Sequence, residues 1–214
     1  MRSAFAASLA LSLLLTACAT GPTPAPPSGG ATASAWTAAI VPEDQDRLRR
    51  LPEAWSTALA QARDAGYGPE LAALGALGDP GATLPDPEPP PGRYRCRTVK
   101  VGSQSALLPF VAYAWFDCEI TRSAGGLRLD KVTGSQRQQG TLYPDTDHRL
   151  VFLGGLALGS DEAQAPSYGA DRDRNVVGVM ERFAPERWRL VQPWPRFESN
   201  LDLLEIEPLQ GQRS

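Results

Sequence analysis

Apolar and polar residues alternate with a period of two from position 93 to position 207. This is the period of a β-strand, whose successive side chains point to opposite faces. Turn-forming residues divide the region into eight segments, and the short connections favour antiparallel neighbours. We therefore predict a mainly β fold, an antiparallel eight-stranded meander closed as a small barrel, with a sandwich as the alternative. The predicted strands are Arg93–Val101, Phe110–Thr121, Leu127–Val132, Arg137–Tyr143, Arg149–Leu158, Val176–Phe183, Arg187–Gln192 and Leu201–Glu207.

The start of the chain has the features of a lipoprotein export signal. Arg2 precedes an apolar stretch that is too short to span a bilayer, which requires about 20 apolar residues. The stretch ends in Leu15-Thr16-Ala17-Cys18, which resembles the bacterial lipobox, whose cysteine thiol receives a diacylglyceryl group. We predict a signal peptide over 1–17, lipidation of Cys18, and an outer-membrane anchor facing the periplasm. An ordinary signal peptide with a chance cysteine is the alternative.

The rest of the chain divides by composition. Residues 18–35 start with the lipidated cysteine and continue as a flexible tether of small residues, and 36–208 are expected to form a single folded domain. Within that domain, 36–78 carries apolar residues at helical spacing, so an α-helical N-terminal part is predicted, interrupted at Pro52. The segment 79–92 is rich in proline and is expected to be extended, and 93–207 is the β region.

The two cysteines of the β region lie in its first hairpin. Cys96 and Cys118 belong to a domain that we expect to be exported, where disulfides persist. A register that places the two cysteines directly opposite each other also places Arg95 opposite Glu119, with a second opposite-charge pair on the same face. We predict this register and a Cys96–Cys118 disulfide, with two free buried thiols as the alternative.

Several segments of the β region together resemble a known family. They are Pro91–Lys100, Trp115–Cys118, Thr133–Gly140, Phe152–Gly154, Tyr168–Arg174, Trp188–Pro195 and Glu198–Glu205. The string of motifs is similar to bacterial domain of unknown function 4893, over roughly residues 36 to 208. The resemblance implies a single folded unit and implies nothing about chemistry.

The stretch 135–140 of the β region is polar on both faces, which is unusual for a barrel strand. It follows Gly134 and places Arg137 among amide side chains, which suits a carboxylate or phosphate ligand. The loop Tyr168–Arg174 is expected near the same end of the barrel. The alternative is structural: the arginine pairs with an acidic loop residue and the glutamines face solvent. The predicted ligand-binding residues are Ser135, Gln136, Arg137, Tyr168, Asp171 and Arg174.

Other chemistries find little support in the sequence. His148 is the single histidine, which disfavours a zinc site or a serine hydrolase triad. Glu198 and Asp202 are a carboxylate pair that a hydrolase with an arginine-assisted cleft would use. The net charge of −3, with basic residues interleaved among acidic ones, argues against a nucleic-acid partner. No catalytic residue, metal or cofactor is predicted.

These observations together predict a membrane-anchored lipoprotein whose domain is non-catalytic. Its expected partners are the membrane, through the lipid, and an envelope protein or a small ligand. A carboxylate-dependent hydrolase and a structural envelope component are the two alternatives.

Overall fold

The computed structural model of the protein describes residues 35–105, 107–123 and 126–209. The predicted signal peptide, Cys18 and the tether up to residue 34 lie outside the described residues. Four short helices come first, followed by a 3₁₀ turn at Gly75–Gly78. Pro52 is the second residue of the longest helix, where its missing N–H removes no helical hydrogen bond. The helices are α1 (Ala35–Ala39), α2 (Pro42–Arg49), α3 (Leu51–Asp64) and α4 (Gly68–Ala73).

Nine antiparallel strands follow the helices, in one sheet. The strands are β1 (Gly92–Val101), β2 (Phe110–Ala112), β3 (Phe116–Ser123), β4 (Gly126–Lys131), β5 (Gln136–Pro144), β6 (Arg149–Leu158), β7 (Asn175–Ala184), β8 (Arg187–Pro193) and β9 (Leu201–Pro208).

The sheet closes on itself because β1 pairs with β9 as well as with β3. Eight strands form the closed barrel, so the predicted small antiparallel barrel is confirmed. The strand predicted over Phe110–Thr121 is divided in two, since Tyr113 and its two successors interrupt it. The short strand β2 lies beside the last residues of β1, and β3 lies beside the first residues of β1.

The predicted disulfide between Cys96 and Cys118 is confirmed, with the two Cα atoms 5.8 Å apart. The predicted register is wrong by two residues. Cys96 lies opposite Phe116, and Cys118 lies opposite Tyr94, so the disulfide joins diagonal positions.

A two-residue shift leaves every side chain on its original face, so the alternation of the sequence cannot distinguish the two registers. The predicted register rested on charge pairs across a single hairpin. In the barrel β1 has a second neighbour, and Arg97 donates to Glu205 of β9 over 2.6 Å. Arg95 lies opposite Asp117 rather than Glu119.

Even-numbered residues of β1 and β9 point into the barrel, and apolar side chains fill most of its interior. Gly140 and Gly154 face each other across β5 and β6 and leave room for the ring of Phe152. A Cβ on Gly154 would lie 2.6 Å from that ring. The barrel is therefore a packed core and not an empty container. The interior apolar residues include Tyr94, Cys96, Cys118, Ile120, Leu127, Leu129, Leu142, Leu150, Phe152, Met180, Trp188, Leu190, Leu204 and Ile206.

The outer face of β1, β8 and β9 is covered by the helices. Trp55 and three alanines of α3 are buried against odd-numbered strand residues such as Val99 and Leu203. Arg189, fully buried in this layer, pairs with Glu181 over 2.8 Å and donates to backbone carbonyls around the 3₁₀ turn. Because these strands are buried on both faces, charged residues are admitted there only as pairs.

Candidate functional site: a polar groove at one end of the barrel

The inward-facing side chains change from apolar to polar at one end of the barrel. This end, where β1, β4 and β8 finish and β5 and β9 begin, is called here the polar end. The polar residues that face inward there are Thr98, Lys100, Lys131, Gln136, Gln138, Gln192 and Asp202.

Two adjoining cavities lie at the polar end and share Lys100 and Gln136 in their walls. The inner cavity has a volume of about 30 Å³, which is the room of about one water molecule. The outer cavity, called here the polar groove, has a volume of about 190 Å³. The polar groove is lined by Thr98, Lys100, Tyr113, Phe116, Lys131, Ser135, Gln136 and Glu198.

Lys100 is held by two carboxylates. Its Nζ lies 3.0 Å from Glu198 and 3.3 Å from Asp202. Burial by itself would lower the pKa of Lys100, but the two carboxylates raise that pKa above its ordinary value. The hydroxyl of Ser199 donates to the second oxygen of Asp202. The ammonium of Lys100 is therefore charged and compensated within the protein.

Lys131 forms no ion pair of this kind. It is 3 % exposed, and its Nζ donates to the backbone carbonyl of Gln136 over 2.8 Å. The centre of the Phe116 ring lies 4.2 Å from the same nitrogen. Among the described residues, no carboxylate lies within ion-pair distance of it. Burial, reinforced by the positive charge of Lys100, lowers the pKa of Lys131 from 10.5 to about 8, and the carboxylate of Asp202 opposes this shift only in part.

The turn between β4 and β5 covers this ammonium closely. Gly134 adopts a φ of +97°, and a Cβ there would lie 3.0 Å from Phe116 and 3.3 Å from Lys131 Nζ. A side chain at this position would require both a strained backbone and a displaced lysine. The glycine thus sets how near the turn approaches the groove.

Three buried polar atoms at the polar end have no partner in the described structure: Thr98 Oγ1, Gln138 Oε1 and Gln192 Nε2. Buried polar groups in native proteins are normally hydrogen-bonded, so each such atom requires an explanation. The two glutamine atoms line the inner cavity, which has room for one water to bridge them. Thr98 lines the polar groove, on the same wall as Lys100.

The two lysines were not among the predicted ligand-binding residues, although the sequence carries a clear signal of them. Only two of its 21 Lys and Arg residues are lysines, and both line the polar groove. Both also lie on the core face by the period-two pattern, since Lys100 shares a face with Cys96, and Lys131 with Leu129. A lysine on an apolar face is unusual enough to mark a site.

The predicted ligand-binding residues are divided between several places. Ser135 and Gln136 line the polar groove, and Arg174 lines the inner cavity. Arg174 forms an ion pair with Glu162, and Asp171 lies 3.4 Å from its Nε. These residues are therefore near the polar end, with Arg174 and Asp171 already paired to each other.

Arg137 and Tyr168 are engaged in structural contacts. The guanidinium of Arg137 donates to the backbone carbonyls of Gly134, Gly159 and Glu162, which ties the loop after β6 to the turn before β5. The hydroxyl of Tyr168 donates to Asp44 of α2 over 2.8 Å. In the described structure, neither side chain lines the polar groove.

His148 lies half-exposed in the turn between β5 and β6, at the opposite end of the barrel, next to Asp147. Across the part of the chain that the structure describes, no three His, Cys, Asp or Glu side chains are grouped as a metal site. None of the helices in the described ranges is long and apolar enough to cross a bilayer.

Comparison with known proteins identifies the family. No curated protein and no solved structure matches the chain significantly. A family profile described as domain of unknown function (DUF4893) matches residues 36–206, which include all nine strands except the last two residues of β9. Since the match extends over most of the chain, the protein belongs to the DUF4893 family.

Proposed function

We propose that the protein is a lipid-anchored envelope domain that binds a ligand, without transforming it, in the polar groove. The observation that carries the proposal is the pair of lysines, the only two in the chain, placed in a polar region of a barrel whose described interior is otherwise packed with apolar side chains. Lys100 is held there by two carboxylates, whereas Lys131 has no ion-pair partner among the described residues. An apolar residue in place of Lys131 would extend the core, so stability alone gives no reason to keep that lysine.

The size of the groove limits what it can hold. A volume of about 190 Å³ is smaller than the pockets of roughly 300–1,000 Å³ that surround whole small molecules. The groove therefore suits one chemical group of a ligand, with the remainder of that ligand lying over the rim. A carrier that encloses its ligand in the barrel centre is a poorer fit, because Phe152 and its neighbours fill that space.

The two lysines make a direct binding experiment possible. The full chain, purified in a neutral detergent and labelled with ¹³C at lysine Cε, should give two lysine signals in an NMR spectrum. Small carboxylates, phosphates, amines and neutral sugars would be titrated at millimolar concentration. We expect at least one of these chemical classes to shift the Lys131 signal saturably. If neither lysine signal responds to any of them, the ligand-binding proposal is wrong.

The location is a separate proposal, supported by Leu15-Thr16-Ala17-Cys18 and the short apolar stretch before it. Cleavage before Cys18 and acylation of its thiol would anchor the domain on the outer membrane, facing the periplasm, with two or more acyl chains sufficient for firm attachment. A Cys18→Ala variant should keep the uncut leader and lose the lipid label, whereas the neighbouring Thr20→Ala variant should behave as wild type. Equal processing and lipid labelling of both variants would contradict the anchor.

A carboxylate-dependent hydrolase is the second candidate, because Glu198 and Asp202 do converge on one point at the groove. Both carboxylates contact Lys100, and burial raises the pKa of Asp202 despite the opposing effect of that lysine. A raised pKa is what a general acid requires. If the hydrolase is correct, chromogenic glycosides or esters should be turned over, and Asp202→Asn should abolish that turnover.

A further inference from the structure

Resting on the proposed function, we propose that the polar groove binds an organic anion, whose carboxylate or phosphate group is held by Lys131 and whose apolar body lies on the rim. The two parts of this proposal rest on different observations. The anionic group follows from the charges in the groove, and the apolar body follows from the side chains around it.

The charges in the groove leave the ammonium of Lys131 without an ion-pair partner among the described residues. Glu198 and Asp202 both lie against Lys100. Asp202 also raises the pKa of Lys131, but burial and the positive charges of Lys100 and Arg137 outweigh that effect. The described contacts of Lys131 Nζ are a carbonyl oxygen and an aromatic ring, which are dipolar or polarisable partners without a full negative charge. A buried cation is stable only with an opposite charge and hydrogen bonds nearby. An anionic ligand group would supply both.

A hydroxyl donor lines the same groove. Thr98 is 5 % exposed, its Oγ1 has no partner, and it lines the groove together with Lys131. Ser135 adds a second hydroxyl at the groove. A carboxylate or phosphate oxygen accepts several hydrogen bonds, and those from charged donors are the strongest. One ammonium and two hydroxyls therefore form a donor set that matches an anion.

The rim of the groove is apolar. All the large apolar side chains that are exposed in the described structure lie in loops or turns at this end of the barrel. Tyr113 and Phe116 line the groove itself, and Val132 directly follows Lys131. The loop after β1 is held against the loop before β9, since Gln104 donates to the carbonyls of Pro195 and Ser199. The exposed residues are Leu107, Leu108, Tyr113, Val132 and Phe197.

The test compares three probes that share one aromatic ring: benzoate, phenyl phosphate and benzyl alcohol. The full chain, in a neutral detergent at neutral pH, is titrated with each, and binding is followed by the lysine ¹³Cε signals and by equilibrium dialysis. We expect benzoate or phenyl phosphate to bind at least about tenfold more tightly than benzyl alcohol, because a hydrogen bond between two charged groups contributes at least that much to affinity. The tighter of the two anions shows whether the site prefers a carboxylate or a phosphate. Acetate and inorganic phosphate, which lack the ring, should bind about tenfold more weakly than the aromatic anions.

Two variants and a control assign the effect to the groove. Lys131→Met should reduce the binding of the aromatic anions about tenfold or more, and Thr98→Val about threefold, while both leave benzyl alcohol unchanged. Arg122→Met removes an exposed cation on β3 and should change nothing. Thermal unfolding of each variant verifies that it is folded.

Two results would overturn this inference. If benzyl alcohol binds the wild-type protein as tightly as benzoate and phenyl phosphate do, ligand binding stands and the anion is wrong. If Lys131→Met binds the anions as the wild type does, the anion is held elsewhere and the inference fails. Failure of every ligand class in the broader titration would instead remove the proposed function itself.

Discussion

Replacing Lys131 by methionine should stabilise the protein at neutral pH. The gap between the ordinary pKa of 10.5 and the value of about 8 in the folded state corresponds to about 3 kcal/mol, at about 1.4 kcal/mol for each tenfold step. This free energy opposes folding wherever the lysine is protonated in both states. Methionine has a similar length, keeps the volume filled and carries no charge. It also removes the donor to the Gln136 carbonyl, which costs about 1 kcal/mol. The expected net gain is about 2 kcal/mol.

Because of this lysine, the free energy of unfolding should increase with pH. Below about pH 8 the lysine is protonated in the folded and unfolded states, so its full penalty applies. Between about pH 8 and 10.5 the unfolded chain holds the proton that the folded chain has lost, so stability rises with pH. From about pH 7 to about pH 9.5, this lysine alone should raise the free energy of unfolding by about 2 kcal/mol. Lys100 holds its proton above this range, because two carboxylates raise its pKa.

Urea unfolding of wild type and Lys131→Met at both pH values measures this difference. Lys100→Met is the matched comparison, since it makes the same chemical change at the other lysine with the opposite expected sign. Removing Lys100 leaves Asp202 buried without its cation, which should destabilise the protein by about 3–5 kcal/mol at neutral pH. The reasoning fails if Lys131→Met is the less stable protein at about pH 7, or if its unfolding free energy keeps the wild-type dependence on pH.

Three further expectations concern the scaffold. Gly154→Ala should destabilise the barrel by about 2 kcal/mol or more, measured by urea unfolding, because its Cβ would collide with the backbone oxygen of Gln139 and lie 2.6 Å from the ring of Phe152. An unchanged midpoint would show that strand β5 and the ring can both move aside. Arg189→Leu should lower the free energy of unfolding by about 3–5 kcal/mol, because Glu181 and three backbone carbonyls lose their buried donor. Calorimetry would detect this as a lower melting temperature. An unchanged melting temperature would show that water replaces the guanidinium. The double change of Cys96 and Cys118 to serine should lower the free energy of unfolding by about 3 kcal/mol, as expected for a loop of this length, and reduction of the wild type should reproduce the loss.

The strands and their antiparallel order could be predicted from the sequence because both depend on local patterns. Alternation of apolar and polar residues marks each strand, and short turns dictate antiparallel neighbours. Closure through β1 and β9 leaves no comparable trace, since the two strands are far apart in the chain. For the same reason the predicted register failed: it was chosen from charge pairs within the first hairpin, while Arg97 pairs with Glu205 across the closure.

The candidate site was predicted in part. The polar stretch at Gln136 does border the groove, because a strand that is polar on its inward face must face a polar interior. Arg137 was included on its chemistry alone, and the alternation places it on the opposite face from Gln136. Its carbonyl acceptors come from loops whose paths no local pattern specifies. Lys100 and Lys131 stand as isolated charges on the core face, and an isolated charge is a weaker signal in the sequence than a polar stretch such as 135–140.

A barrel of this kind without a ligand would gain stability from an apolar residue in place of Lys131. Its interior is packed with apolar side chains over most of its length, and such a residue would extend that core. The first lysine, Lys100, neutralises two carboxylates, so that its loss alone would destabilise the protein. The second forms no ion pair among the described residues, and it opposes folding by about 3 kcal/mol. Native proteins keep such local conflicts mainly at functional sites, so the ammonium of Lys131 is the group at which a ligand should be sought first.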